Sequence, residues 1–327
     1  MRHARGPSAR WGRLVTAKPH ILVCIALQPI HRAALAERYA VHDMPGGPPL
    51  EDAMPDGASD VTAVVTNGSA GLSAAAMARL PRLALIICYG AGYEHVDLMA
   101  ARGAGIAVTH APGVNDATVA DHALAMMLAL ARGLVPLDRA VRAGHWSTSR
   151  SPRPTLNGRR VGILGLGQIG SRIATRAAAF ETTVAYHSRT PSPTAPWLHV
   201  PRLVDLACTS DFLVVACPGG ADTRHLVDAH VLDALGAEGF LINVARGSVV
   251  DTVALLGALR RGAIAGAALD VVEGEPDVPR ELLALDNVIL TPHVAGRSPD
   301  VVQAQLALCL ANLDALFAGR PLTSRVA

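Results

Sequence analysis

One stretch of the sequence, Val161 to Ala174, restricts the fold more than any other. It begins as an apolar run of strand length, passes through glycines spaced as G-x-G-x-x-G, and continues with the period of a helix. In this spacing Gly165 permits a sharp turn, Gly167 lets a diphosphate approach the backbone, and Gly170 lets the helix pack closely on the strand. The pattern predicts a dinucleotide-binding unit. The alternative is a tightly packed helix that binds nothing.

Length and composition favour a folded protein of about two domains. The chain has 327 residues, 50% of them hydrophobic, and a formal net charge of +2. Its apolar runs stay shorter than the roughly 18 residues of a membrane span, and its charges are mixed along the chain. We therefore expect no membrane and no nucleic acid among its partners. The five cysteines form no C-x-x-C pair, which predicts reduced thiols and a cytoplasmic location.

No metal site is predicted. The sequence has no H-E-x-x-H motif, and the short cluster Glu94, His95 and Asp97 is more typical of a helix start than of a ligand set. Residues 1–19 carry several basic side chains and no acid, without the cleavage pattern of a secretory signal. We expect this segment to be a disordered extension.

The order of apolar and helical segments indicates an α/β protein with two Rossmann-like domains, each a doubly wound parallel sheet. The dinucleotide-binding domain is expected at 113–297. The substrate domain is expected at 20–112 and 298–327, and is discontinuous because the last helix returns to it. Within the dinucleotide-binding domain the expected strands are 161–164, 183–186, 212–216, 241–244, 267–271 and 288–290.

A long helix, hydrophobic nearly all round, is expected from Asp116 to Arg132, with Asn115 or Asp116 as its cap. Such a helix should be buried between domains or subunits. Trp146 follows in a polar segment, where a large aromatic side chain indicates a contact with a partner subunit or an active-site rim. Packing of Trp146 on its own domain is the alternative.

Three chemically active residues follow predicted strands of the second domain. Because ligands bind beyond the carboxyl ends of parallel strands, we expect Arg246, Glu275 and His293 to point into one cleft. There an arginine can bind an anion, a histidine can protonate a carbonyl oxygen, and a glutamate can keep the imidazole protonated. Taken singly, each has an alternative. Arg246 can cap a helix or pair with Asp251, Glu275 can be a solvated turn residue, and His293 can be structural.

The segments around these residues are Leu241 to Asp251, Ala268 to Pro276 and Thr291 to Gly296. Together with the glycine motif they closely resemble signatures of the D-2-hydroxyacid dehydrogenase family, and the resemblance extends from about Ile21 to the C-terminus. It implies reduction of a 2-keto acid by NAD(P)H. It also implies that Arg246, Glu275 and His293 are the catalytic arginine, glutamate and histidine.

The first domain shares the resemblance. Gly90 to Asp97 resembles the loop whose backbone amides hold the substrate carboxylate in this family, which implies substrate contacts from Tyr89, Gly90, Ala91 and Gly92. The segment from Asn115 to Asp121 is similar to the family's N-x-x-x-V-A-E motif, with Asp121 in place of the usual glutamate. Members of the family are usually homodimers, which implies the same here.

The residues that end the second strand of the dinucleotide-binding domain favour NADPH. NAD-preferring sites place an acid there, whereas this chain has Ser188 and Arg189, which can bind a 2′-phosphate. The alternative is a solvated Arg189 and use of NADH. The residues expected to contact the cofactor are Gly165, Gly167, Gln168, Ile169, Gly170, Ser188, Arg189, Thr190, Cys217, Pro218, Thr223, Val244, Ala245, Asp270 and Gly296.

Within the family, the sequence resembles the glyoxylate/hydroxypyruvate reductase branch. Phosphite dehydrogenases have a lysine where this chain has Ala91, and formate dehydrogenases pair the histidine with glutamine rather than with an acid such as Glu275. Hydroxyphenylpyruvate or another 2-keto acid is an alternative substrate, because the size of the pocket is not readable from sequence. A dinucleotide-sensing corepressor on the same fold is a more distant alternative.

Overall fold

The computed structural model describes residues 18–44, 46, 50 and 52–326. The chain divides into two compact units, Met1–His110 with Leu306–Ala327, and Ala111–Gln305. The predicted extension covers residues 1–19, of which residues 1–17 lie outside the described residues. The roles expected for the two domains stay predictions.

The first unit is built on a five-stranded parallel sheet with the order β2-β1-β3-β4-β5. Its strands are β1 (His20–Val23), β2 (Ala40–Asp43), β3 (Val61–Thr66), β4 (Leu85–Cys88) and β5 (Ala107–Thr109). Along β1, Ile21 and Val23 enter one apolar cluster while Leu22 enters another. Alternate residues thus face two different cores, as in a sheet covered on both faces.

The second unit contains a seven-stranded parallel sheet with the order β12-β11-β10-β9-β6-β7-β8. Its strands are β6 (Arg160–Leu164), β7 (Thr183–His187), β8 (Leu198–His199), β9 (Phe212–Val215), β10 (Phe240–Asn243), β11 (Gly266–Leu269) and β12 (Val288–Leu290). Strand order reverses at β6, so the carboxyl ends of β6 and β9 flank the switch point where α/β sheets bind ligands. The predicted α/β class with doubly wound parallel sheets is confirmed.

The helices cover both sheets. They are α1 (Pro29–Arg38), α2 (Ala74–Ala78), α3 (Leu98–Gly103), α4 (Asp116–Arg132), α5 (Leu134–Arg142), α6 (Gln168–Ala178), α7 (Leu203–Cys208), α8 (Ala229–Leu235), α9 (Thr252–Arg260), α10 (Arg280–Leu283) and α11 (Pro299–Phe317). Helix α4 has the predicted bounds and is followed by its C-cap residue Gly133, whose φ of 62° allows the left-handed turn. Asn115 is its cap residue by position, and Asp116 is 5% exposed. Burial raises the pKa of Asp116.

Helix α11 is long and apolar enough to cross a membrane by length and composition alone. The bent pair α4 and α5 passes the same test when the two are counted together. In α11, Cys309 and Leu313 are buried in a core cluster of the first unit. Of the apolar window of α11, 33% is buried.

Candidate active site

The glycine motif forms the turn from β6 to α6. Gly165 has a φ of +95°, and a Cβ there would lie 2.6 Å from Cα of Cys217. A Cβ on Gly170 would lie 2.0 Å from the carbonyl oxygen of Gly165. By contrast, a Cβ on Gly167 would meet no described atom within 4 Å, beside the first turn of α6. The turn is tight at two glycines and open at the third, which fits a diphosphate bound at the N-terminus of the helix.

The segment after β7 presents a hydroxyl and a guanidinium. The hydroxyl of Ser188 donates to the carbonyl of Thr190 at 2.7 Å. The side chain of Arg189 is 88% exposed, and its Nη1 lies 3.8 Å from Oδ2 of Asp222, which is 85% exposed. An ion pair this exposed contributes little, so it leaves the guanidinium available to an anionic ligand.

Glu275 and His293 form a close pair. Nδ1 of His293 lies 2.5 Å from Oε1 of Glu275, and the amide of Val272 donates to Oε2 at 3.2 Å. Burial acts to raise the pKa of Glu275. Its hydrogen bond and charge interaction with His293, the Val272 amide and the charge of Arg246 outweigh burial, so this pKa lies below its ordinary value. Because a carboxylate only accepts, Nδ1 of His293 donates and Nε2 faces away from the pair. Sequence reasoning expected these three residues together. The structure pairs His293 with Glu275, and the charge of Arg246 lies close enough to act on Glu275.

A buried carboxylate holds the loop that carries His293. Asp270 is 2% exposed, and its Oδ1 accepts from the hydroxyl of Thr291 at 2.6 Å and from the amide of Val294 at 2.9 Å. Its Oδ2 accepts from the amide of Ala295 at 2.9 Å, and its carbonyl accepts from the amide of His293 at 2.8 Å. These bonds support the left-handed φ of 54° at His293. A direct contact of Asp270 with the cofactor stays a prediction.

Arg246 is held by the turn that follows β10. The side chain of Asn243 accepts from the amide of Ala245 at 3.0 Å and donates to the carbonyl of Arg246 at 3.1 Å. A Cβ on Gly219 would lie 2.6 Å from Cγ of Arg246, so the arginine stem packs on that glycine. Asp251, the alternative partner considered for Arg246, instead caps α9.

The other residues expected to contact the cofactor lie near the carboxyl ends of β9, β10 and β12. The hydroxyl of Thr223 donates to the carbonyl of Pro218 at 2.8 Å. Val244 and Ala245 are 7% and 6% exposed. A Cβ on Gly296 would lie 2.6 Å from Nδ2 of Asn115, so that glycine is required for packing as well.

In the first unit, the Gly90–Gly92 loop follows β4. Nδ1 of His110 lies 2.9 Å from the carbonyl of Ala91, and its ring packs edge-on against Tyr93 at 5.2 Å. The phenol of Tyr89 lies 3.4 Å from Nδ1 of the buried His31, and burial raises the pKa of Tyr89 above its ordinary value. The substrate contacts expected of this loop stay predictions.

The structure gives a partner for Asp121 and the exposure of Trp146, two residues that the sequence singled out. Oδ1 of Asp121, which replaces the usual glutamate, accepts from Nε of Arg176 on α6 at 2.6 Å. The substitution therefore keeps an acidic partner for α6. Trp146 is 67% exposed.

Sequence reasoning missed three residues that support the site. Asn243 ends β10, where a polar residue after an apolar run is a recognisable signal. His225 and Glu273 pair with each other at 3.0 Å beside the loops that carry Arg246 and Glu275. No sequence motif predicts this pair, because the two residues are far apart in the chain and meet only in the tertiary fold.

Comparisons with known proteins identify the family. Residues 124–295 match the model of the D-isomer specific 2-hydroxyacid dehydrogenase NAD binding domain. The chain is 45% identical over 269 residues to a glyoxylate/hydroxypyruvate reductase A of Arabidopsis thaliana, covering 82% of this chain and 86% of that protein. It is 40% identical over 270 residues to a hydroxyphenylpyruvate reductase of Plectranthus scutellarioides, covering 82% of this chain and 86% of that protein.

A solved structure is also similar. The NADPH-dependent glyoxylate/hydroxypyruvate reductase of Sinorhizobium meliloti, in complex with NADP and malonate, superimposes with a TM-score of 0.88 at 38% identity. The match covers 95% of this chain and 97% of that one. The chain therefore belongs to the D-isomer specific 2-hydroxyacid dehydrogenase family of NAD(P)-dependent oxidoreductases.

Proposed function

We propose that this enzyme reduces a small 2-keto acid of the glyoxylate or hydroxypyruvate type to the D-2-hydroxy acid. The observation that carries the proposal is the 2.5 Å pair between Nδ1 of His293 and Oε1 of Glu275. A histidine fixed in this way presents Nε2 as the atom that can exchange a proton with a carbonyl oxygen. The similarity to glyoxylate/hydroxypyruvate reductases supports the substrate class.

Three residues divide the work of the reaction. Arg246 binds the carboxylate and carbonyl of the keto acid and orients them, because a guanidinium pairs with two oxygens at once. His293 donates the proton from Nε2 to the carbonyl oxygen, and Glu275 stabilises the ring orientation that this needs. When bound, the nicotinamide supplies a hydride to the carbonyl carbon.

The cofactor bound at the β6–α6 turn is NADPH in preference to NADH. No acid follows β7 to repel a 2′-phosphate, and the guanidinium of Arg189 is 88% exposed. Charge-assisted hydrogen bonds to phosphate favour such an arginine. A relative crystallised with NADP supports this preference.

The test is steady-state oxidation of NADPH and NADH, side by side, with glyoxylate, hydroxypyruvate and hydroxyphenylpyruvate. We expect the highest kcat/KM with NADPH and one of the two small acids. A higher kcat/KM with hydroxyphenylpyruvate would instead support the second candidate function, reduction of hydroxyphenylpyruvate. The 40% identity to a hydroxyphenylpyruvate reductase favours this alternative. No turnover with any of the three acids would contradict the proposal.

The working form is a homodimer in the cytoplasm. Helix α5 buries none of its residues, and Leu134 and Trp146 in this region are 54% and 67% exposed. Exposed apolar side chains of this size are typical of an interface. Light scattering should give twice the 33.9 kDa chain mass, and Trp146→Ser with Leu134→Ser should weaken the dimer. A monomer for the unaltered chain would contradict this part of the proposal.

A further inference from the structure

A histidine outside the predicted catalytic set lies beside both loops of the site. His225 has a left-handed φ of 54°, a conformation that a non-glycine residue keeps only where the surrounding structure fixes it. Its amide donates to the carbonyl of Ser248 at 2.8 Å. The next bonds join Val227 to Val249 and Asp251 to Val227, each at 3.0 Å. The segment that starts at His225 therefore lies along the chain directly after Arg246.

The ring of His225 reaches the second loop. Its Nε2 lies 3.0 Å from both carboxylate oxygens of Glu273, two residues before Glu275. Because a carboxylate only accepts, Nε2 donates in this contact. A single residue thus bonds by its main chain to the Arg246 loop and by its side chain to the Glu275 loop.

The two loops also touch through their backbones. A Cβ on Gly247 would lie 2.1 Å from the carbonyl carbon of Val272 and 2.3 Å from the amide nitrogen of Glu273. No side chain fits between them. A shift of one loop therefore moves the other, and the position of Glu273 affects both.

The charges around the ring favour this arrangement. Nη2 of Arg224 lies 2.7 Å from Oε1 of Glu273, and Nδ1 of His225 lies 3.8 Å from Oδ2 of Asp251. The side chains of His225, Glu273 and Asp251 are 33%, 26% and 31% exposed. One carboxylate from each loop therefore faces the imidazole.

We propose that His225 is a positioning residue that, through Glu273, holds Arg246 and Glu275 in register with each other. The inference rests on the proposed function, because it concerns the precision of that same site. A displacement of about 1 Å in a catalytic group can cost roughly a hundredfold in rate, so a contact that fixes two such groups has a large effect without touching substrate.

The test compares His225→Ala, Glu273→Ala, the double variant and His225→Gln with the unaltered enzyme. His230→Ala on α8 is the matched control, because it removes an exposed histidine on another element. For the two alanine variants we expect KM for the keto acid to rise by about tenfold and kcat/KM to fall by roughly a hundredfold. The dissociation constant of NADPH should stay within about twofold, since the β6–α6 turn is untouched. A loss of folded protein alone would lower kcat without raising KM.

Rescue and coupling test the contact itself. A glutamine side chain can donate to Glu273 as Nε2 does, so His225→Gln should retain kcat/KM within about fivefold. The double alanine variant should be no worse than Glu273→Ala, because that single variant already breaks the contact that His225→Ala removes. Additive losses, or a KM unchanged in both single variants, would overturn the proposal.

Hydrogen exchange of the NADP⁺ complex separates this proposal from the proposed function. In His225→Ala, the amides of Val249 to Asp251 and of Glu275 should exchange about tenfold faster, whereas His230→Ala should match the unaltered enzyme. If the unaltered enzyme reduces no keto acid but exchange changes as expected, only the proposed function fails. Exchange unchanged at both loops would overturn the positioning role, whatever the activity.

Discussion

Nδ1 of His293 lies 2.5 Å from Oε1 of Glu275, and the two residues come from loops that follow different strands, β12 and β11. The sheet register places Leu269 opposite Leu290, so both loops leave the same edge of the sheet. Asp270 holds the His293 loop in place by accepting from the amides of Val294 and Ala295. The geometry of this pair is therefore a product of parallel pairing and one buried carboxylate.

The lowered pKa of Glu275 predicts a pH dependence of stability. A carboxylate with a depressed folded-state pKa stabilises the fold fully above its unfolded pKa, and this stabilisation is lost as pH falls through the folded pKa. Urea unfolding from pH 5 to pH 3 should show Glu275→Gln less stable than the unaltered enzyme at pH 5. The difference should shrink as pH falls below about 4.5, the ordinary value for this residue. Glu281→Gln, at an exposed position of α10, should show no such convergence. A difference that widens toward pH 3 would contradict the assignment.

The glycine turn predicts that one alanine substitution lowers stability and another lowers the affinity for NADPH. Gly170→Ala would place a Cβ 2.0 Å from the Gly165 carbonyl, so it should lower stability by about 1 to 3 kcal/mol. Gly167→Ala has open space around the new methyl, so it should keep the melting temperature while weakening NADPH binding by about tenfold or more. Thermal melts and cofactor titrations measure the pair. Normal NADPH affinity in Gly167→Ala would show that the diphosphate does not approach that backbone.

Arg189 predicts the cofactor selectivity. A charge-assisted hydrogen bond contributes about 1.5 to 3 kcal/mol, so Arg189→Ala should weaken NADPH binding by roughly 10- to 100-fold and leave NADH binding nearly unchanged. Arg202→Ala is the control, because that arginine is also exposed but pairs with Asp205 at the start of α7. Equal losses for the two cofactors would mean that Arg189 does not contact the 2′-phosphate.

The thiols predict a single reactive cysteine. Burial raises the pKa of Cys24, Cys88 and Cys309 to about 12 and that of Cys217 to about 11, whereas Cys208 is exposed. Since the thiolate is the reactive form, iodoacetamide at pH 8 should label Cys208 first and alone in the folded enzyme. Mass spectrometry of the peptides reads the site directly. Rapid labelling of Cys217 would indicate an opening of the turn around Gly165.

The sequence predicted the parts of this molecule that local patterns encode. The glycine spacing, the bounds of α4 and the six longer strands of the second sheet follow from periodicity and turn residues. Strand β8 was missed because it has only two residues, Leu198 and His199, in a proline-rich segment. Strand β2 was missed because its four residues, Ala40 to Asp43, include a histidine and an aspartate and so form no apolar run. Three of them are half-buried and Asp43 is exposed.

The candidate site divides in the same way. Arg246, Glu275 and His293 were predictable because each follows an apolar strand, and strand ends meet at one edge of a parallel sheet. The contact between His225 and Glu273 was not predictable, because 48 residues separate them and His225 lies in an irregular segment. Such supporting residues are visible only once the loops are folded against each other.

The most direct test of the account is the kcat of His293→Ala with NADPH and the best keto acid, measured together with the dissociation constant of NADPH. General acid catalysis contributes about 10²- to 10⁴-fold, so kcat should fall by that factor while NADPH affinity stays within about twofold. A kcat close to that of the unaltered enzyme at neutral pH would contradict the role of His293 as the proton donor.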